Sequence, residues 1–225
     1  MGNEDLFHKR RECTANDLKR KKATSSNPAR QPQPRILIVC EDSKSSAFYL
    51  EELAKDLGLN AVTVEGERCG SAPSSVLQFA KEQYANSITD RNQYDKVYCV
   101  FDRDQHPCFD KTVQAISVLK PKNTFVAITT APCFEFWLLL HFDYYSGSYK
   151  VTGNKSPCDN AQTDLKKVWL DYGKSKRGVY SYVRDKLITA ITNARKLTAD
   201  NDKTSSTNPQ TNMHELIEYL QSIKR

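Results

Sequence analysis

Short apolar runs alternate with amphipathic stretches along most of this chain. Ile36 to Cys40 is an unbroken apolar run and predicts a strand buried on both faces. After it come Ser43, a possible N-cap, then Phe48, Leu50, Leu53, Ala54 and Leu57 at helical spacing, with Gly58 as the stop. Ala61 to Val64 predicts a second strand, followed by a turn around Gly66 and Gly70 and by Pro73 opening a helix to about Tyr84. Lys96 to Phe101 is β-branched and aromatic and too short for a helix; it runs directly into Asp102-Arg103-Asp104. A helix from about Phe109 to Leu119 and a strand from Phe125 to Ile128 continue the alternation. The pattern predicts an α/β fold, a mostly parallel sheet flanked by helices. Past Thr130 it turns helical: an apolar helix from Pro132 to Phe142, a Tyr, Gly and Ser-rich loop to about Pro157, then helices near Ala161 to Tyr172, Val179 to Ala199 and Met213 to Ile223. No internal repeat interrupts this order.

The residues before Arg35 differ in kind. They are polar, lack sustained periodicity and end in a Ser, Asn, Pro and Gln-rich stretch from Thr24 to Pro34, which predicts a disordered basic arm over residues 1–34 and one domain over residues 35–225. Of the formal net charge of +6, the arm carries eight Lys or Arg against four acids. Its clusters, Lys9-Arg10-Arg11 and Lys19-Arg20-Lys21-Lys22, suit the neutralisation of phosphates, with Arg10, Arg11, Arg20 and Lys21 as candidate nucleic-acid contacts. A solvated, passive tail is the other reading of the same residues. The 39% hydrophobic content suffices for a core, no run approaches the roughly eighteen apolar residues of a membrane helix, and the start is charged where a signal peptide would be apolar. The expectation is a cytoplasmic protein with no membrane partner. Seven cysteines without a Cys-x-x-Cys pair then read as reduced thiols used as small hydrophobes, Cys40 and Cys99 within strands, with a zinc site as the lesser alternative.

In parallel α/β sheets ligands bind at the carboxyl ends of strands, near the point where strand order reverses. Glu41 and Asp102 are the first polar residues after apolar strands, and Asp102 and Asp104 sit two apart in an extended segment, able to point to one side. Carboxylates brought together repel one another unless a cation intervenes, and hard oxygen ligands at an open site favour Mg²⁺ or Mn²⁺. Solvated loop acids are the alternative. Lys44, at a helix start, could meet a phosphate, and His106 could reach a substrate phosphate or carry a proton; an exposed lysine and a loop hydrogen bond are their ordinary roles. Arg103, Lys174, Lys176 and Arg177 are further candidates for nucleic-acid backbone contacts. His141 and His214 read as structural. The absence of Gly-x-x-x-x-Gly-Lys and Gly-x-Gly-x-x-Gly disfavours intrinsic ATPase and dinucleotide chemistry.

The strand ending in Glu41 and the later Asp102-Arg-Asp104 resemble the Toprim pattern. More specifically, Val-Phe-Asp-Arg-Asp-Gln-His106, Ala131-Pro-Cys-Phe-Glu135-Phe-Trp-Leu-Leu-Leu-His-Phe142 and Asn208-Pro-Gln-Thr-Asn-Met-His214 resemble the RloB-like family from about Arg35 to the C-terminus. The resemblance implies a Toprim-like fold related to the OLD-family nucleases, Mg²⁺ dependence, a role in bacterial anti-phage or restriction-linked defence, and an ATPase partner of the AAA or ABC type. It also implies that Glu41 acts as acid or base and that Asp102 and Asp104 hold metal. Toprim proteins usually show a Gly and then a second acid after the first Glu; here Asp42 and Ser46 stand in those places, and Asp42 or Glu135 could supply the missing ligand.

The first expectation is therefore a Mg²⁺-dependent nuclease acting on RNA or DNA. Glu135, in an apolar helix, is expected at the same site, a structural ion pair with an Arg or Lys from the C-terminal helices being its other role. The alternative is a non-catalytic module that binds Mg²⁺ and nucleic acid or nucleotide beside an ATPase. A receiver-like domain phosphorylated on Asp102 ranks last.

Overall fold

Among the described residues five strands, β1 (Ile36–Cys40), β2 (Val62–Glu65), β3 (Lys96–Asp102), β4 (Phe125–Ala131) and β5 (Gln210–Thr211), form one sheet in the order β2-β1-β3-β4-β5. The computed structural model describes residues 33–67, 70, 72–103 and 106–223. Strands β1 to β4 are parallel and β5 is antiparallel to β4. Strand β1 lies between β2 and β3, Ile36 standing opposite both Val62 and Lys96, and all five of its residues are fully buried. That explains its unbroken apolar run: an inner parallel strand has no face in water.

Alternate residues supply two cores. Ile36, Ile38, Cys40, Tyr98, Val100 and Ile128 face one side; Leu37, Val39, Val97, Cys99 and Phe101 face the other. Helices α2 (Pro73–Thr89) and α3 (Phe109–Ser117) cover the second side. The first is built with α1 (Ser45–Asp56), α4 (Phe134–Leu139), α5 (Pro157–Val168), α6 (Val179–Val183), α7 (Leu187–Thr204) and α8 (Met213–Ile223). The α/β class and the helical C-terminal third are as the sequence predicts, and the chain from Pro34 onward is one compact unit. Among the described residues no helix is long and apolar enough to cross a membrane.

Four local differences have physical causes. Helix α1 begins at Ser45 rather than just after Ser43, because the Asp42 carboxylate accepts from the backbone N–H of Lys44 at 2.8 Å and of Ser46 at 3.2 Å. The apolar segment expected as one helix from Pro132 to Phe142 is helical only over Phe134–Leu139. The helix expected from Val179 to Ala199 is interrupted by a 3-10 turn over the charged residues Arg184–Lys186. The two-residue β5 has no sequence signature. The Asn212 side chain extends its pairing by accepting from Thr129 N–H at 2.7 Å and donating to the Ala127 carbonyl at 3.0 Å, covering the edge of β4.

Cys40 and Cys99 are buried thiols outside any disulfide, as expected, but Cys133 and Cys158 form a disulfide, against the all-thiol expectation. Their Cα atoms are 5.5 Å apart where the start of α4 meets the first turn of α5, a spacing that suits the bond. His141 is structural: it sits between the Trp137 carbonyl and the Tyr49 hydroxyl, and burial pushes its pKa down to about 4.

Candidate functional site

Reversal of strand order falls between β1 and β3, since β1 connects onward to β2 on one side while β3 pairs on the other. Glu41 and Asp102 emerge side by side at that point. The Glu41 N–H donates to the Val100 carbonyl at 2.9 Å, carrying the β1–β3 ladder one residue past the strand, and its side-chain oxygen accepts from Asp102 N–H at 2.9 Å. The other Glu41 oxygen is 3.4 Å from His106 Nε2. Asp102 ends β3, and its carboxylate accepts from Phe134 N–H at 3.2 Å, linking β3 to the start of α4.

That link explains why a residue 33 positions along joins the site. Phe134 opens α4, and the next residue, Glu135, is only 2% exposed. Glu135 accepts from the Tyr172 hydroxyl at 3.0 Å and lies 3.4 Å from Lys174 Nζ. Glu135 lines the cavity shared with Glu41 and Asp102, and its lysine partner comes not from a C-terminal helix but from the connection that follows α5. Ser45 Oγ holds the Lys174 carbonyl at 3.2 Å and so ties the segment carrying Tyr172 and Lys174 to α1.

The cavity measures about 450 Å³ and is lined by five acids, Glu41, Asp42, Glu67, Asp102 and Glu135, against two lysines, Lys44 and Lys174. A larger cavity of about 580 Å³ beside β5 and the end of α7 is lined by Asn201, Asn212 and Glu215 among others, but it lacks such a convergence of charge. The acidic excess leaves its mark on Asp102, whose pKa is pushed well above the usual carboxylate range by burial first and then by the negative charges of Glu135 and Glu41. Burial and the Glu135 charge likewise push the Tyr172 hydroxyl upward, which keeps it a hydrogen-bond donor.

The sequence-predicted residues divide plainly. Glu41, Asp102, Glu135, Lys44 and Lys174 meet at the cavity, with His106 against Glu41. Asp42 lines it too, but its carboxylate is occupied by the α1 backbone and by Ser46 Oγ at 3.1 Å. Arg103 lies over the Phe109 ring and 3.7 Å from Asp110, toward α3. Arg177 lies over the Phe48 ring and pairs with Glu51, and Lys176 reaches the Asp171 carbonyl. Asp104 and the arm residues Arg10, Arg11, Arg20 and Lys21 lie outside the described residues. Sequence reasoning missed Glu67 and Tyr172. Glu67 carries the same signal as Glu41, an acid just past a strand, hidden because Gly66 reads as a turn; Tyr172 has no signal in the chain.

Gly66 is required by contact rather than by its backbone angles. A Cβ there would stand 2.6 Å from the Asp42 carbonyl oxygen and 3.0 Å from Ala47 Cβ. Gly66→Ala must therefore displace the turn that carries Glu41 and Asp42. We expect a loss of about 1–3 kcal/mol in denaturant unfolding, as overpacking of a tight contact costs. An unchanged midpoint would show that the turn gives way freely.

Fold and cavity together define an α/β protein with an acidic site at the switch point of a largely parallel sheet. The family model described as RloB-like protein matches residues 36–220, and the chain belongs to that family. No curated protein and no solved structure matches the chain.

Proposed function

We propose that the protein is a divalent-cation-dependent nuclease of the Toprim type that hydrolyses phosphodiester bonds of RNA or DNA, in bacterial anti-phage or restriction-linked defence. The supporting observation is the convergence of Glu41, Asp102 and Glu135 on one cavity at the switch point. The defence role rests on family resemblance alone. Five acids against two lysines, with a half-buried Asp102 carboxyl among them, fit a hard cation with oxygen ligands better than they fit one another. Bound among Glu41, Asp102 and Glu135, Mg²⁺ or Mn²⁺ would polarise the scissile phosphate and offset charge developing on it.

The chain's own residues supply the rest. Glu41, held by Asp102 N–H and backed by His106, is placed to accept a proton from an attacking water, with His106 as the next carrier. Lys174 and Lys44 bring positive charge to the wall where a phosphate would lie. Tyr172 fixes one oxygen of Glu135.

Two measurements test this. Purified protein incubated with labelled RNA and DNA is expected to cut at least one of them with Mg²⁺ or Mn²⁺ and neither with EDTA; tight binding without cutting would favour the non-catalytic module. Glu135→Gln, nearly isosteric, is expected to keep the fold and lower the rate at least about tenfold, roughly 1.4 kcal/mol of transition-state stabilisation. Full activity in the folded variant would confine Glu135 to its pairing with Lys174 and Tyr172.

A further inference from the structure

Glu135 has a second set of neighbours that the nuclease reading does not use. Cys133 lies two residues before it, Cys158 is the second residue of α5, and the ligand atoms of the three side chains all lie within 4.8 Å of one another. Among the described residues this is the one group of His, Cys, Asp and Glu side chains found so closely clustered. Cys158 Sγ is 3.8 Å from Glu135 Oε2. A tetrahedral zinc ion with bonds of about 2.3 Å to sulfur and about 2.1 Å to oxygen has sulfur-to-oxygen edges of roughly 3.6 Å and sulfur-to-sulfur edges of roughly 3.7 Å. The first edge is nearly met as the side chains stand. The second needs only the opening of the sulfur pair, whose Cα separation of 5.5 Å leaves room for it.

Two further features point to a cation. Lys174 Nζ stands 3.8 Å from Cys158 Sγ and 3.4 Å from Glu135 Oε1, so a positive charge already lies against two of the three ligands, on a half-exposed side chain. The Tyr172 hydroxyl holds Glu135 Oε1, leaving Oε2 toward Cys158, the kind of outer hydrogen bond that orients a ligating carboxylate.

We propose that, once the Cys133–Cys158 disulfide is reduced, Cys133, Glu135 and Cys158 bind one thiophilic divalent cation, with Zn²⁺ as the fitting ion, and that the disulfide is the closed form of this site. A dithiol reductant supplies two electrons and two protons to the sulfur–sulfur bond, itself closing to a cyclic disulfide, and leaves two thiols. Each thiol then loses its proton as its sulfur joins the metal. Two thiolates select a soft or borderline ion over Mg²⁺, which separates this site from the all-oxygen one beside it. The inference stands whether or not the neighbouring cavity cuts nucleic acid.

Cobalt is the probe. The full-length protein is reduced with a dithiol, freed of it under anaerobic conditions and titrated with Co²⁺. The expected result is a strong near-ultraviolet thiolate-to-cobalt absorption that saturates at one ion per chain, disappears on adding one equivalent of Zn²⁺ and is unaffected by Mg²⁺. The oxidised protein and Cys158→Ser should show no such band, and Tyr172→Phe should retain it with affinity about 10–100-fold weaker. No band in reduced wild type with native circular dichroism overturns the proposal, as does a full band in Cys158→Ser, which would place the metal on other thiols. If Cys158→Ser fails to fold, the comparison of oxidised with reduced wild type decides alone.

Discussion

Asp102→Asn is expected to reduce Mg²⁺-dependent cleavage by at least about 100-fold while leaving a folded protein that, without metal, melts at a higher temperature than wild type. Both effects have one origin. The Asp102 carboxyl is half-buried and faces the negative charges of Glu135 and Glu41; desolvation first and those charges next hold its folded-state pKa well above its unfolded value. In that window the folded state binds the proton that the unfolded state has released. Stability is therefore highest below the unfolded pKa and is lost as pH rises toward the raised folded value. At neutral pH the metal-free protein bears the cost either of holding a proton that the unfolded chain has released or of keeping the charge among its acidic neighbours. Asparagine removes the charge and can still accept from Phe134 N–H through its amide oxygen. A cation at a hundred times its dissociation constant adds about 2.7 kcal/mol to wild type and little to the variant. Melting curves with and without Mg²⁺ between pH 5 and pH 8, run beside a cleavage assay, read both effects. A variant that cleaves at the wild-type rate would remove Asp102 from the mechanism.

Trp137→Ala is expected to cost about 3–5 kcal/mol and to lower Tm by roughly 10 °C. Trp137 is fully buried in the middle of α4, edge-on to Tyr49 at 6.4 Å and to His141 at 5.0 Å between ring centroids. Its ring thus joins α4 to α1, the helices that carry Glu135 and follow Glu41. All six residues of α4 are buried, so no solvent-facing side can relax into the space an alanine leaves. Urea unfolding followed by circular dichroism measures the loss; a cost under 1 kcal/mol would mean that the core around α4 refills.

The legible and illegible parts of the chain follow from how much information is local. β1 and β3 could be read because inner parallel strands must be apolar throughout, and the acids that end them, Glu41 and Asp102, stand out against that background. Their meeting at the switch point also follows from the alternation of strands and helices. Glu135 is legible in part: a carboxylate in a wholly apolar helix needs a partner, but the helix expected to run from Ala161 to Tyr172 stops at Val168, so Tyr172 and Lys174 arrive on an irregular connection instead. The Cys133–Cys158 bond joins positions 25 apart across two helices and has no spacing signature. Strand β5 is two residues long, and its support comes from the Asn212 side chain, so neither length nor alternation marks it. Arg103 lies toward α3 for an equally non-local reason: Phe109 and Asp110, at the start of that helix, offer it an aromatic face and a carboxylate.

Calorimetric titration of Mn²⁺ or Mg²⁺ into the metal-free protein tests most directly whether Glu41, Asp102 and Glu135 bind a divalent cation. The oxidised form is used, so that the Cys133–Cys158 thiols take no part. Wild type is expected to bind with an affinity that falls as pH is lowered, because protons on Asp102 compete with the cation, and folded Asp102→Asn and Glu41→Gln are expected to show no saturable heat. Binding by both variants with wild-type affinity would contradict the account.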